Sequence, residues 1–322
     1  MPRNKHKAID LFCGAGGSSY GTMQAGVNVV AGFDMWKLAG EVYKDNFPKA
    51  TFFEGKLQNV RIKTISRKLG KIDLIIASPE CTSHSVARGK RKQNEESLRL
   101  AYQVLRFAKE FNPRWLIIEN VVSMREWADY PKFLRKLGKS YKYVEQVLLA
   151  SDFGVPQSRR RLFIICDRDQ EPPAIGTPKK IRRKPASAVI NKSAKYELSK
   201  LKKKGRAKST LERANRAFSA IGKTTPFLIV YYGSDAAGGW QQLSVPLRTI
   251  TTLDRFALVT PSRDGKGHSM RMLQPCELQA AMGFPHSFKL NRGTRREKIH
   301  LLGNAVCPPV MQAIVETLIK QG

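Results

Sequence analysis

Five short segments carry residue types that can do chemistry. In Ala77-Ser78-Pro79-Glu80-Cys81-Thr82-Ser83-His84-Ser85, a cysteine follows an apolar run and enters a polar loop. A thiolate is a strong nucleophile, and Arg88, Lys90, Arg91 and Lys92 supply the positive surroundings that favour it. By itself such a segment is more often an unreactive free cysteine. Asp10-Leu11-Phe12-Cys13-Gly14-Ala15-Gly16-Gly17 runs from apolar residues into a glycine turn, where backbone can approach a ligand closely. It is not the Gly-x-Gly-x-x-Gly pattern of dinucleotide sites. Asp34-Met35-Trp36 offers a carboxylate suited to two ribose hydroxyls and an indole that can stack on adenine. The same residues also fit a helix cap with a core tryptophan behind it. Glu119-Asn120-Val121 offers a general acid or a base-reading carboxylate, or another cap. Gln157-Ser158-Arg159-Arg160-Arg161 offers alternating guanidiniums for a carboxylate, a phosphate or a base edge, or else a solvated basic turn.

Each segment borders an element that must position it. Residues 8–12 read as a strand, and a helix follows the glycine turn through Met23-Gln24-Ala25. Residues 27–33 read as a second strand and 36–46 as a helix stopped by Pro48. Residues 72–77, 115–118 and 161–166 are short apolar runs, each read as a buried strand. Residues 97–111 form an amphipathic pattern with Leu98, Ala101, Tyr102, Leu105 and Ala108 on one face, ended by Asn112-Pro113. Apolar strands alternating with helices predict an α/β fold with a parallel sheet covered on both faces. In such sheets ligands bind at the carboxyl ends of the strands, where all five segments fall. Pro308-Pro309 opens a last helix, with Val310, Ile314, Val315 and Leu318 on one stripe that should pack back on the sheet.

Charge narrows the partner. The 322 residues carry 57 basic and 26 acidic side chains, a net +31, with 42% hydrophobic residues. That is enough apolar material for one large domain and a smaller one, and it excludes a disordered chain. No apolar run approaches bilayer length, no apolar leader follows Met1-Pro2-Arg3-Asn4-Lys5, and the five cysteines form no Cys-x-x-Cys pair. Membrane insertion, secretion, a disulfide framework and a zinc site are therefore not expected, and a reducing compartment is. The excess positive charge points to a polyanion, nucleic acid ahead of an acidic membrane. Between Gly176 and Lys223, sixteen basic residues face only Glu197 and Glu212. A run of this kind resists compaction unless phosphates neutralise it, so it reads as an inserted nucleic-acid-contacting region rather than a solvated tether.

The order of the segments is more specific than any one of them. Glycine turn, Asp34-x-Trp36, Pro79-x-Cys81, Glu119-Asn120-Val121, Gln157-x-Arg159-x-Arg161, a variable basic stretch and Gly303-Asn304-Ala305-Val306 together resemble the cytosine-C5 DNA methyltransferase family. The resemblance covers roughly residues 7–168 and 245–320. It implies a Rossmann-like S-adenosylmethionine-dependent methyltransferase domain with a smaller basic target-recognition domain. Residues 1–168 would bind cofactor and carry catalysis, 169–244 would recognise the target, and 245–322 would return to complete the catalytic domain. The resemblance makes Cys81 the nucleophile, puts Glu119 on the target base at N3 and the exocyclic amine, and has Arg161 with Arg159 orient the base and Cys81. Phe12, Gly14, Gly16, Gly17, Asp34, Trp36, Pro79 and Asn304 would hold S-adenosylmethionine, leaving S-adenosylhomocysteine as product, with no metal. Ser85, Arg88, Lys90, Arg91, Gln157, Arg248 and Thr249 would contact DNA, and the loop 83–94 would close over a flipped base. Two departures stand out: Glu80 and Thr82 flank Cys81 where the family usually has Pro and Gln, and Lys56 stands where an acidic residue often meets the adenine amine.

The implied partner is double-stranded DNA, bound by a monomer in the cytoplasm of a bacterium or encoded by a phage, with no membrane. The alternatives are a transfer-RNA cytosine-C5 methyltransferase and a catalytically silent nucleic-acid-binding protein. The loop Thr82-Ser83-His84-Ser85 differs from the transfer-RNA branch, and intact Cys81, Glu119 and Arg161 argue against a silent protein. If the charge acts through phosphates, log affinity for duplex DNA falls steeply and linearly against log salt. A flat line in a salt titration would remove the electrostatic part of this reading.

Overall fold

The computed structural model describes residues 6–79, 95–178, 181–191, 196–232, 237–262 and 267–321, without the side chains of 95–99. The strands are β1 (Lys7–Leu11), β2 (Asn28–Asp34), β3 (Thr51–Glu54), β4 (Leu74–Ala77), β5 (Trp115–Asn120), β6 (Lys142–Leu149), β7 (Gln157–Ser158), β8 (Arg160–Asp167), β9 (Ser199–Lys200), β10 (Phe227–Val230), β11 (Trp240–Gln242), β12 (Leu247–Arg248), β13 (Phe256–Pro261) and β14 (His268–Met272). The helices are α1 (Gly17–Gln24), α2 (Lys37–Asn46), α3 (Ile62–Leu69), α4 (Glu95–Phe111), α5 (Tyr130–Leu137), α6 (Lys208–Ile221), α7 (Pro275–Ala281), α8 (Arg295–Asn304) and α9 (Pro308–Gln321).

Seven of these strands form the main sheet, in the order β3-β2-β1-β4-β5-β8-β6. Strand order reverses between β1 and β4, where Leu11 pairs with Ala77 in parallel. That reversal opens a crevice beyond the carboxyl ends of both strands. Alternate residues of each strand serve opposite faces. In β4, Leu74 and Ile76 pack on the side of α1, α2 and α9, while Ile75 and Ala77 pack on the side of α4 and α5. Each buried Leu or Ile contributes roughly 1.5–3 kcal/mol, so neither face can be stripped without loss of the fold. The parallel expectation holds for β1 to β5 and fails at one edge. There β8 is antiparallel to both β5 and β6. The reason is connection length: ten residues separate the end of β6 from the start of β8, too few for the crossover that parallel strands need.

The last helix does return to this sheet, but through α1. A Cβ on Gly21 would lie 2.2 Å from the Pro308 carbonyl, so α1 and α9 meet backbone to backbone. One expectation about apolar length changes. Residues Arg295–Gln321 are long and apolar enough for a bilayer, at mean hydropathy 1.2, yet 61% of the most apolar stretch is buried. They fold as α8 and α9, joined through Ala305-Val306-Cys307, with Ile299, Leu302, Ile314 and Val315 in the core.

A second sheet, β11-β10-β13-β14-β9, draws strands from both sides of residue 244. One of its faces packs on α6 through Phe227, Ile229, Ala257 and Val259. Its other face, Leu228, Val230, Phe256 and Leu258, joins the same core as α1 and α9. The described part of the basic insert is held against the fold rather than left as a tether. Ala186 and Ser187 donate to the carbonyls of Val245 and Leu243, at 2.8 and 2.9 Å.

A buried ion pair pins the second sheet to α7. Arg271 of β14 donates from both Nη atoms to Glu277 of α7, each at 2.7 Å. Glu277 also accepts from the backbone N–H groups of Gln274 and Asn191, so its oxygens are fully engaged. Glu277→Gln leaves a buried guanidinium without its counter-ion and should lower the unfolding free energy by about 3–5 kcal/mol. A loss below about 1 kcal/mol in urea denaturation would show that the pair is dispensable.

Candidate active site

The turn after β1 is built from left-handed backbone. Phe12, Gly14 and Gly16 have φ of 58°, 51° and 91°. The turn closes on itself through Gly16 N–H donating to the Cys13 carbonyl at 2.8 Å. The glycines serve different ends. A Cβ on Gly16 would lie 2.3 Å from the Phe47 ring, and one on Gly17 would lie 2.2 Å from the Val306 carbonyl, so both are packing requirements. At Gly14 nothing stands within 4 Å of that position, so this glycine borders open space.

Asp34 faces the same turn from the end of β2. Its carboxylate accepts from Gly14 N–H and Trp36 N–H, both at 2.9 Å. The helix-cap alternative therefore does not describe it: α2 begins at Lys37 with Trp36 as its cap residue. Trp36 is half-buried, and its ring lies 5.0 Å from that of His300 on α8. Asn304, four residues further along α8, is exposed. Lys56 is exposed just beyond β3, where Gly55 N–H donates to the Asp34 carbonyl at 2.9 Å.

Beneath the turn lies a group that the sequence reading passed over. Asp10 is fully buried in β1, and its Oδ2 accepts from the Ser18 and Ser19 hydroxyls at 2.6 Å each. Its Oδ1 has no hydrogen-bond partner among the described residues. Burial outweighs the two serines and pushes the carboxyl up to about 7, with Asp34 adding to the rise. The signal was present as an acidic residue inside an apolar strand, with paired serines in the first turn of the next helix.

Across the crevice stands the second acidic group. Glu119 is buried near the end of β5 and pairs with Arg161 Nε at 3.2 Å. Burial raises its carboxyl above the ordinary range, while Arg161, Arg159 and the Ser78 hydroxyl pull it down. Next to it, Asn120 donates to the Pro79 carbonyl at 3.2 Å, which fixes the main chain two residues ahead of Cys81. A cavity of about 10 Å³, room for one water, is lined by Glu119, Arg159, Arg161 and Cys307. Burial pushes the Cys307 thiol up to about 11, against the pull of both arginines.

Two expected contacts fall elsewhere. Gln157, expected at the DNA surface, is fully buried. Its side chain donates to the Ala281 carbonyl at 3.2 Å and accepts from Ile250 N–H at 2.9 Å, so it cannot also meet a phosphate. Arg159, expected beside Arg161 on one strand face, lies in the break between β7 and β8 and is 3% exposed. It donates to the carbonyls of Ile250 and Gly303 at 3.0 and 2.8 Å. Arg248 and Thr249 are partly exposed beside β7, and Thr249 Oγ1 donates to the Ser158 carbonyl at 3.0 Å. Cys276 is exposed. Cys81, Ser85, Arg88, Lys90 and Arg91, with Glu80 and Thr82, lie outside the described residues.

A reversed α/β sheet, a glycine turn facing an aspartate, and a carboxylate–arginine pair beside a strand-end proline define a family. Residues 6–320 match the C-5 cytosine-specific DNA methylase family, and the chain belongs to it. Type II methyltransferase M.FnuDI of Fusobacterium nucleatum is 25% identical over 337 residues, covering 98% of this chain and 94% of that protein. Type II methyltransferase M.HgiDI of Herpetosiphon aurantiacus is 39% identical over 166 residues. The chain spans about half the length of several curated relatives it matches, 52% of M.HgiDI and 45% of M.AgeI from Thalassovita gelatinovora. Among solved structures, a prophage-encoded E. coli protein described as a candidate DNA modification methyltransferase shares the fold at TM-score 0.72 and 18% identity, over 98% of this chain and 99% of that one. A Spodoptera frugiperda DNMT2 variant shares it at TM-score 0.70 and 18% identity, over 98% and 100%.

Asp10 gives the site a pH signature. Its carboxyl rises from 3.8 to about 7 on folding, so its contribution to stability is full below pH 3.8 and is lost as pH rises toward 7. Asp10→Asn cannot ionise and keeps an oxygen for both serines. The stability of the variant relative to the parent should therefore climb between pH 5 and 7, by up to about 1.4 kcal/mol per pH unit, and level off above pH 7. A difference that stays constant from pH 5 to 8 in paired denaturation curves would contradict a neutral Asp10.

Proposed function

We propose that the chain is a DNA cytosine-C5 methyltransferase that acts on duplex DNA as a monomer, with Cys81 as nucleophile. The observation that carries this reading is the Glu119–Arg161 pair at the crevice, one strand away from Pro79 and opposite the Asp34-capped glycine turn. The family implies S-adenosylmethionine, and the residues present suit it. Gly14 leaves open space beside the turn, Asp34 presents a half-buried carboxylate at the strand end, and Trp36 presents a half-buried indole. Phe12, Gly14, Asp34, Trp36, Pro79 and Asn304 would hold it, with Gly16 and Gly17 shaping the turn. When bound, it supplies an electrophilic methyl on a sulfonium.

The chain's own groups make the base reactive. Cytosine C5 is a poor nucleophile, and adding the Cys81 thiolate at C6 breaks the aromaticity and makes C5 enamine-like. Glu119, held toward its protonated form by burial, can give a proton or a strong hydrogen bond to N3 as charge develops there. Arg161 orients Glu119 and the base, and Arg159 positions that strand through Ile250 and Gly303. Loss of the C5 proton and departure of Cys81 then restore the ring. The target atom is hidden in a duplex, so the base must leave the stack, at a cost of a few kcal/mol that contacts to phosphates offset.

The test is transfer of labelled methyl from S-adenosylmethionine to duplex DNA, with transfer RNA as a second substrate. Cys81→Ser should remove detectable transfer. Glu119→Gln should lower kcat by about 10²–10⁴-fold with cofactor and DNA affinity kept within a few-fold. Label in transfer RNA alone would replace DNA as the substrate, and label in neither would leave a nucleic-acid-binding protein.

A further inference from the structure

Between the second sheet and the catalytic strand runs a short hydrogen-bonded path. Tyr232, just past β10, donates its hydroxyl to the Thr249 carbonyl. Thr249 in turn donates from Oγ1 to the Ser158 carbonyl at 3.0 Å. Ser158 ends β7, which pairs in parallel with β12 through Gln157–Leu247 and Ser158–Arg248. The next residue is Arg159, and Arg161 with its Glu119 partner follows two positions later. The Tyr232 ring packs at 6.1 Å from Phe256 of β13, so its position is set by the second sheet. The charged groups around its hydroxyl are Arg248, Arg255 and Arg159, one each from β12, the entry to β13 and the break between β7 and β8.

The other end of this path is held as firmly. Arg255 donates to the Tyr231 carbonyl at 2.6 Å, and Arg213 of α6 lies 5.3 Å over the Tyr231 ring. Arg248 donates to the Ala237 carbonyl at 3.1 Å. One arginine therefore joins the turn that leads into β11 to the β7–β12 ladder.

We propose that Tyr232 and Thr249 are positioning residues that make the orientation of Arg159 and Arg161 depend on how the second sheet is seated on DNA. Resting on the DNA-methyltransferase reading, this makes a wrong sequence slow the chemistry as well as weaken binding. A second sheet displaced on a mismatched site pulls Ser158, and with it the base-orienting arginines, out of register with Glu119.

Contiguity alone is not coupling, and a double-mutant cycle measures it. The recognition site is first read by bisulfite sequencing of DNA methylated by the parent enzyme. Tyr232→Phe, which keeps the ring and removes only the hydroxyl, should lower kcat on that site about tenfold. DNA and S-adenosylmethionine dissociation constants and Tm should stay near the parent values. The ratio of methylation rates on the site and on one-base variants should fall by a similar factor. Thr249→Val should lower kcat and discrimination by a similar factor, and in both measures the double variant should be no worse than either single one. Parent-like kcat and discrimination in Tyr232→Phe would overturn the relay, as would additive losses or a loss that tracks Tm. Absence of methyl transfer by the parent enzyme would overturn the functional reading first, and the relay with it.

Discussion

Arg159 is a buried cation whose two terminal nitrogens are spent on backbone carbonyls, Ile250 on one side and Gly303 on the other. Those carbonyls belong to segments about 90 and 144 residues away in sequence. Hydrogen bonds from a charged donor contribute roughly 1.5–3 kcal/mol each, and a buried guanidinium without them would be strongly destabilising. The side chain can be accommodated only if the chain returns from the second sheet along one path. That path sets β12 beside β7, brings Val306 over Gly17 and leaves Asn304 exposed at the end of α8. Both walls of the crevice thus depend on one interaction that itself stays out of solvent.

Within that frame two carboxyl groups are pushed upward by burial, for different purposes. Asp10 sits under the glycine turn with hydroxyls as donors and no cation among the causes of its shift. Glu119 sits beside two guanidiniums, which moderate the same effect. A carboxyl that must hold a proton and then release it benefits from opposed influences, because small changes in arginine position move its balance. A carboxyl that shapes a turn has no such need. The contrast separates the group proposed to react from a structural one more clearly than burial does.

Much of this was legible from residue order. Continuous apolar runs at 72–77 and 115–118 gave strands, and chemically useful residues at their ends gave the crevice. Strand direction at the sheet edge was not legible, because β8 is as apolar as a parallel strand and only the short connection from β6 reverses it. Gln157 and Arg159 look like surface residues in a basic turn, and their partners Ala281, Ile250 and Gly303 are close only after folding. Asp10 was missed because a titratable group in an apolar strand reads as the edge of a motif rather than its foundation. The second sheet was half seen. The basic composition marked 176–223, but β13 and β14 carry no such mark and fall in the stretch read as return segment.

Under the proposed function, the two faces of that second sheet limit how specificity can change over time. Leu228, Val230, Phe256 and Leu258 are continuous with the core beneath α1 and α9, and Arg271 reaches Glu277 across the same boundary. A cassette cut at 169 and 244 would carry β10 and β11 away from β13 and β14 and leave apolar residues facing water. New recognition surfaces are therefore easier to acquire on the α6 side and at strand turns than by exchange of the whole unit. Lineages of this architecture should keep both buried faces of the sheet while the exposed side of α6 and the strand turns drift.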